Sequence, residues 1–433
     1  MKKLLTVLLA SFMLLTACSS NNDAKSDTSN GGADTGKKQE ITVWAWDKAF
    51  NIAAMEKAKE LYNQSNADVT INIVENAQND IIQKLNAGLN SGTTKSLPNI
   101  VLIEDYRAQS FLQAYPDSFF ALDEFINASD FADYKIGPTS SDGKQYGVPF
   151  DSGVAGLYIR TDYLEEAGYK VEDLQDITWD KYIEIGKAIK EKTGKDLLTQ
   201  DPNDLGLIRM MIQSAGAWYL QEDGTTPNIA ENAALQEAFE SYKKMMDANI
   251  VKVISDWSQF VGGFNSGDVA SVPTGNWITA SVKAEAEQSG KWAIVPFPTL
   301  ANNANSVHAS NLGGSSWYVL NVDGKEAAAD FLKQTFGSSS DLYQTLVKEI
   351  GAIGTLKAAA QGEAYTAPDE FFGGQTTIAD LAKWTEQIPN VNYGMHTYAI
   401  EDILVVEMQN FMNGTDLQTV LSNAQTQAET QIR

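Results

Sequence analysis

The chain has 433 residues, 43% of them apolar, with 56 acidic side chains against 32 basic ones and a formal net charge of −24. Such a surface repels nucleic acid and anionic lipid headgroups, and no basic run offsets it, which excludes nucleic acid as a partner. A lone cysteine excludes internal disulfides, and the two histidines, His308 and His396, lack metal-type spacing, so neither a metal nor a cofactor is expected.

From the start, Lys2 and Lys3 precede an uncharged stretch from Leu4 to Thr16. A basic start, a short apolar run and small residues predict a signal peptide over 1–17, too short to span a bilayer. Leu15-Thr16-Ala17-Cys18 resembles the lipobox of bacterial lipoproteins, and that resemblance implies that Cys18 is acylated and begins the mature chain. Residues 18–40 are rich in Ser, Asn, Asp, Gly and Lys, which predicts a flexible tether and a core that starts at Ile41.

The body opens with ITVWAWD (41–47), an alternating run that predicts a strand, followed by a helix over 51–64 with Ile52, Met55, Ala58 and Tyr62 at helical spacing. VTINIV (69–74) predicts a second strand and NDIIQKLNAGL a second helix. NIVLIED (99–105) is apolar without alternation, as expected of a strand covered on both faces. Residues 146–160 predict two short strands, and 178–194 a helix capped by Thr178 and stopped by Gly194. Another helix is expected over 231–249, strands at KWAIVPFP (291–298) and SSWYVLN (315–321), and mainly helices from Gly324 onward. Strands alternating with helices indicate an α/β fold, and roughly 390 residues suffice for two domains or a pair of discontinuous lobes.

Catalytic loops are missing: GGSSW (313–317) and GGFNSG (262–267) lack the lysine and order of a phosphate cradle. Nine tryptophans are present, and Trp46, Trp218, Trp257, Trp277 and Trp317 stand at turn-like, often Gly-flanked places. A ring face packs on the apolar face of a sugar while carboxylates and amides take its hydroxyls. Asp47, Glu104, Asp105 and Asp151 fall at or just past strand ends, and Asn276 precedes Trp277.

PFDSGVAGLYIRTDYLEEAG (149–168) resembles the extracellular solute-binding proteins of ABC importers, within them the carbohydrate-binding family that includes the maltose-binding proteins. Pro149, Phe150, Asp151, Gly156, Leu157 and Tyr158 meet the family's motif, Ile159 and Arg160 depart from it, and Leu164 and Glu166 agree again. ITVWAWDKAFN, PNIVLIED, FNSGDVASVPTGNW (264–277), the PFP strand end and GGSSWYV extend the likeness over nearly all of the body.

The resemblance implies a two-lobed α/β fold like that of periplasmic binding proteins, each lobe a mostly parallel sheet flanked by helices, with the ligand cleft between lobes. The lobes are expected to be discontinuous: 41–150 with about 316–360, and 151–315 with about 361–433. It further implies ligand contacts from Asp47 and Lys48 after the first strand and from Glu104 and Asp105 after the third. Asp151 would lie at the first crossover and Gly313, Gly314 and Ser315 at the second, Trp277 would stack on sugar, and Tyr393 and His396 would form a late aromatic segment. Trp46, Trp218, Trp257 and Asn276 join these candidates from composition and placement alone.

The expected function is that of a monomeric, non-enzymatic sugar-binding lipoprotein on the extracellular face of the cell membrane, of Gram-positive type. It would capture an oligosaccharide by hinge closure and deliver it to an ABC permease. Two alternatives remain on these residues: a binding lipoprotein for an iron chelate, polyamine or peptide, and a surface glycoside hydrolase, whose paired carboxylates also sit in aromatic clefts.

Overall fold

The computed structural model describes residues 39–432; the signal segment, Cys18 and the tether up to residue 38 lie outside them. Strand β1 (Gln39–Ala45) begins two residues before the expected core, because Gln39 and Glu40, although exposed, already pair with Val69 and Thr70. Ile41, Val43 and Ala45 point into the core and their neighbours stay partly exposed, the period-two pattern of a strand with one wetter face. Helix α1 (Ala53–Asn63) and strand β2 (Val69–Glu75) follow, then α2 (Gln78–Ser91), β3 (Ile100–Glu104) and α3 (Asp105–Ala114).

The first sheet has the order β2-β1-β3-β8-β4, with β4 at Gly147–Pro149 and β8 at Ser315–Val319. β1 runs parallel to β2 and β3, whereas β8 runs antiparallel to both β3 and β4. A strand from late in the chain therefore fills the gap between two early ones. Ile41, Val43, Ile100, Leu102, Val148 and Trp317 are all buried in one hydrophobic cluster along this sheet.

The second sheet contains β5 (Ala155–Arg160) between β6 (Ser271–Gly275) and β7 (Trp292–Val295). Both pairings are antiparallel, which corrects the expectation of a mostly parallel sheet in each lobe. The direction was hidden because every residue of β5 is buried, and a strand covered on both faces reads as continuous apolar sequence whatever its neighbours do. A short parallel pair, Leu198–Gln200 with Val251–Val253, adjoins it, the Ser271 N–H of β6 donating to the Leu197 carbonyl at 2.8 Å.

Helix α4 (Trp179–Thr193) covers this region; the Thr178 hydroxyl accepts from the Lys181 N–H at 3.3 Å, and Gly194 ends the helix in the left-handed conformation. Helix α5 (Gly206–Ser214) is buried along its whole length, and α6 (Thr397–Met412) packs near it. Leu157, Ile159, Tyr182, Ile185, Ile208 and Phe239 belong to the second cluster. The sheets and their helices make a two-lobed α/β architecture. The chain passes between them from β4 to β5 and again from β7 to β8, and Ser152 N–H donates to the Ile353 carbonyl of a third connecting segment. Among the described residues no helix is long and apolar enough to cross a membrane.

Candidate functional site

Two patches of candidate contacts are linked through Glu104, Tyr398, Arg209 and Asp204. Trp46 is half-buried just past β1, and Asp47 and Lys48 are exposed beyond it. Asp47 holds φ at 61°, a left-handed conformation uncommon outside glycine, and its Oδ1 accepts from the N–H groups of Ala49 (3.0 Å) and Phe50 (3.2 Å). Backbone held there by local hydrogen bonds aims the next side chains rigidly. Trp46, Glu104 and Arg107 border one depression. Glu104 Oε2 accepts from Tyr398 OH at 2.6 Å, and the Arg107 guanidinium lies 3.8 Å from the Tyr398 ring centre.

The second patch is a cavity of about 190 Å³ bordered by Gln200, Asp204, Trp257, Phe260, Trp277 and Leu312. Trp257 is 57% exposed, unusual for so large an apolar side chain, and its ring centre is 5.9 Å from that of half-buried Trp277. The Trp277 Nε1–H donates to the Leu312 carbonyl at 2.8 Å, fixing the ring. Gly275 is required beneath it, since a Cβ there would lie 2.3 Å from Nε1. Arg209 joins the patches: it bonds Glu401 at 2.7 Å, lies 3.9 Å from Asp204, and its guanidinium is 5.5 Å from the Tyr398 ring. Burial pushes the Glu401 carboxyl above its ordinary pKa, and the Arg209 charge opposes that. The exposed Trp257 ring and half-buried Trp277, beside carboxylates and the Arg107 guanidinium, form a surface suited to a neutral, hydroxyl-rich ligand, with Arg209 buried behind it.

Several expected contacts lie elsewhere. Asp105, one residue from Glu104, is 1% exposed: α3 turns its carboxylate inward, where it pairs with Lys135 and accepts from Ser316 Oγ at 2.9 Å. Burial pushes that carboxyl up to about 6 against the pull of the Lys135 ammonium. Asp151 is buried, accepting from Ser315 N–H (2.7 Å) and Ser315 Oγ (2.6 Å), and Gly314 packs against this pair. Trp218 is 2% exposed; it stacks on Tyr106 and donates to Thr397 Oγ1 at 3.0 Å. Tyr393 is likewise interior, bonded to Gln213 at 3.0 Å. Asn276 is buried with a side-chain amide that has no hydrogen-bond partner among the described residues, a condition that costs about 1–3 kcal/mol. In this structure Asp105, Asp151, Trp218, Asn276, Ser315 and Tyr393 are thus enclosed by protein rather than displayed on the cleft walls. Half-buried His396 precedes α6, and burial lowers its pKa from the ordinary 6.5.

Sequence reasoning missed Arg107, Asp204, Arg209 and Tyr398. Tyr398 lies in the same IPNVNYGMHTY segment as Tyr393 and His396, and helix geometry decides which of these rings faces the cleft. A cavity of about 840 Å³ forms a separate polar groove beside Gln109, Gln113, Ser140, Gln221, Asn390 and Asn392. Its one ring, Trp218, is almost wholly covered, so it offers no stacking face. Among the described residues no group of three or more His, Cys, Asp or Glu could hold a metal ion.

A family model described as bacterial extracellular solute-binding protein matches residues 57–373. A lactose-binding protein of Rhizobium radiobacter is 48% identical over 395 residues, which cover 91% of this chain and 93% of that protein. The GacH receptor of Streptomyces glaucescens, solved unliganded and with acarbose, superposes with a TM-score of 0.75 at 18% identity, covering 92% of this chain and 99% of that one. An ABC transporter associated binding protein from B. animalis subsp. lactis Bl-04, in complex with β-1,6-galactobiose, gives 0.70 at 21% identity, covering 91% and 98%. The last two establish likeness of fold.

Proposed function

The chain belongs to the bacterial extracellular solute-binding protein family, and from that premise we propose that it captures a lactose-type disaccharide between its lobes and presents it to an ABC importer. The exposed Trp257 ring set beside Trp277 carries this reading, because a sugar's C–H face needs an accessible aromatic face. Identity of 48% with a lactose-binding protein over 91% of the chain supports the choice of sugar.

Trp257 and Trp277 stack on the ligand from one lobe. Asp47, Glu104 and Asp204 accept hydrogen bonds from its hydroxyls, and Arg107 donates to its oxygens. The Glu104–Tyr398 bond, 2.6 Å long, already joins the end of β3 to α6 across the proposed lobes. Ligand favours the closed form only through contacts made better there, which requires that both lobes contribute. The lobes follow the boundaries 41–150 with about 316–360 and 151–315 with about 361–433. Cys18 carries the lipid that holds this monomer at the outer face of the membrane, and the protein binds its sugar without chemical change.

Isothermal titration with lactose, maltose, a polyamine and a ferric chelate tests this. Saturable binding of lactose alone is expected. Absence of lactose binding at millimolar concentration, with tight binding of another probe, would overturn the assignment.

A further inference from the structure

Behind the cleft lies a buried charge that contacts no part of the proposed ligand surface. Lys135 Nζ, with 0% of its side chain exposed, donates to the Asp105 carboxylate, to the Asp151 carbonyl at 2.9 Å and to the Ser315 carbonyl at 3.1 Å. These three acceptors satisfy all three donors of an ammonium. Two of them lie on different interlobe connections: Asp151 follows β4, and Ser315 opens β8. The connections are also bonded to each other, since Asp151 Oδ1 accepts from both Ser315 N–H and Ser315 Oγ. Asp105 completes the ring from α3, through its backbone N–H to the Gly314 carbonyl (3.1 Å) and its Oδ1 to Ser316 Oγ. Tyr134, next to Lys135, donates to the Ser152 carbonyl at 2.7 Å.

A buried ion pair is a poor source of net stability, because the charges lose their water, whereas its geometry is demanding. Its better-attested use is to fix one arrangement. Lys135, Asp105 and Ser316 all sit with the first sheet, so the ring ties both connections to that lobe. Immediately beyond it, on the side of the second sheet, Gly153 and Gly313 have positive φ values of 57° and 76°. Gly153 packs so closely on Gly314 that a Cβ would lie 2.7 Å from the Gly314 N.

We propose that the Lys135 ammonium is the pin of the interlobe hinge, holding Asp151 and Ser315 rigidly to the first lobe so that, in these two connections, bending is confined to Gly153–Val154 and Asn311–Gly313. Lys135 is a positioning residue, and the assignment rests on the reading that the lobes close over a sugar.

The test compares wild type with a Lys135→Met/Asp105→Asn double variant, which removes both charges and strands neither. Small-angle scattering is recorded with and without saturating lactose, beside circular dichroism and lactose titration. Wild type should contract on binding. The double variant should keep its secondary structure, contract less, and bind lactose at least tenfold more weakly. A folded double variant that contracts and binds like a contracting wild type overturns the pin alone, while a wild type whose radius ignores bound lactose overturns closure and the pin with it. Hydrogen exchange on the wild type gives a measurement independent of any variant's folding. The amides of Asp105 and Ser315 should be protected like those of β3 with and without lactose, and loop-like exchange of either without lactose overturns the proposal.

Discussion

Trp257→Ala separates a ligand platform from a structural ring. With 57% of the side chain exposed, under half of the tryptophan is covered, chiefly by Trp277 and Phe260 at ring-centre distances of 5.9 and 5.3 Å. A tryptophan buries at most 150–250 Å², so roughly 100 Å² is at stake, about 2.5 kcal/mol at 25 cal/mol per Å². That figure is an upper bound, because the unfolded chain also covers part of its apolar surface. A fully buried tryptophan would instead cost about 3–5 kcal/mol on truncation. Loss of a stacked sugar face should cost about 1.4 kcal/mol of binding, a tenfold rise in Kd. Urea unfolding without ligand and calorimetric titration with lactose measure the two quantities on one preparation. An affinity unchanged within twofold, or a stability loss above about 3 kcal/mol, would refute the stacking role.

Tyr398→Phe deletes the hydroxyl that donates to Glu104 at 2.6 Å; a hydrogen bond to a charged group contributes about 1.5–3 kcal/mol, and because this one is made without ligand, urea unfolding of the unliganded variant should show a loss of that order, while an unchanged unfolding free energy would refute the contribution. Burial keeps the folded-state pKa of His396 below 6.5, so between the two values the native state binds fewer protons than the unfolded chain, and stability is lost as pH falls through that window. Melting curves from about pH 7 to 5 should therefore show a shallower decline for His396→Gln than for wild type. Cys18→Ala should leave a sugar-binding protein that partitions away from membranes on fractionation, and unchanged processing with full membrane association would exclude acylation at that residue.

Much of the fold was legible because local signals and tertiary structure agree. Thr178 and Gly194 bound a helix from sequence chemistry alone, and the alternation of Ile41, Val43 and Ala45 gives both the strand and its buried face. The site was legible by region and less so by residue. Glu104 and Asp105 adjoin in sequence, yet the helix that starts at Asp105 sends one carboxylate toward Tyr398 and the other toward Lys135. Nothing in the order of two acidic residues encodes that division. Trp46, Trp257 and Trp277 reached the cleft walls, whereas Trp218 went inside, where Tyr106 and Tyr393 supply a stack that only the folded chain brings together. Arg209 escaped notice because its meaning comes from Glu401 and Asp204, one of them nearly two hundred residues away.

The placement of β8 between β3 and β4 also sets an order of events during synthesis. A nascent chain carrying only its first 150 residues has β3 and β4 with an empty lane between them, and the strand that fills it ends at Val319. Unpaired strand edges flanking that lane cannot be satisfied locally, and closing so distant a pairing is slow. The polypeptide must therefore remain without its first complete sheet until about three-quarters of it has been made, and its early strand edges stay open to mispairing for most of synthesis.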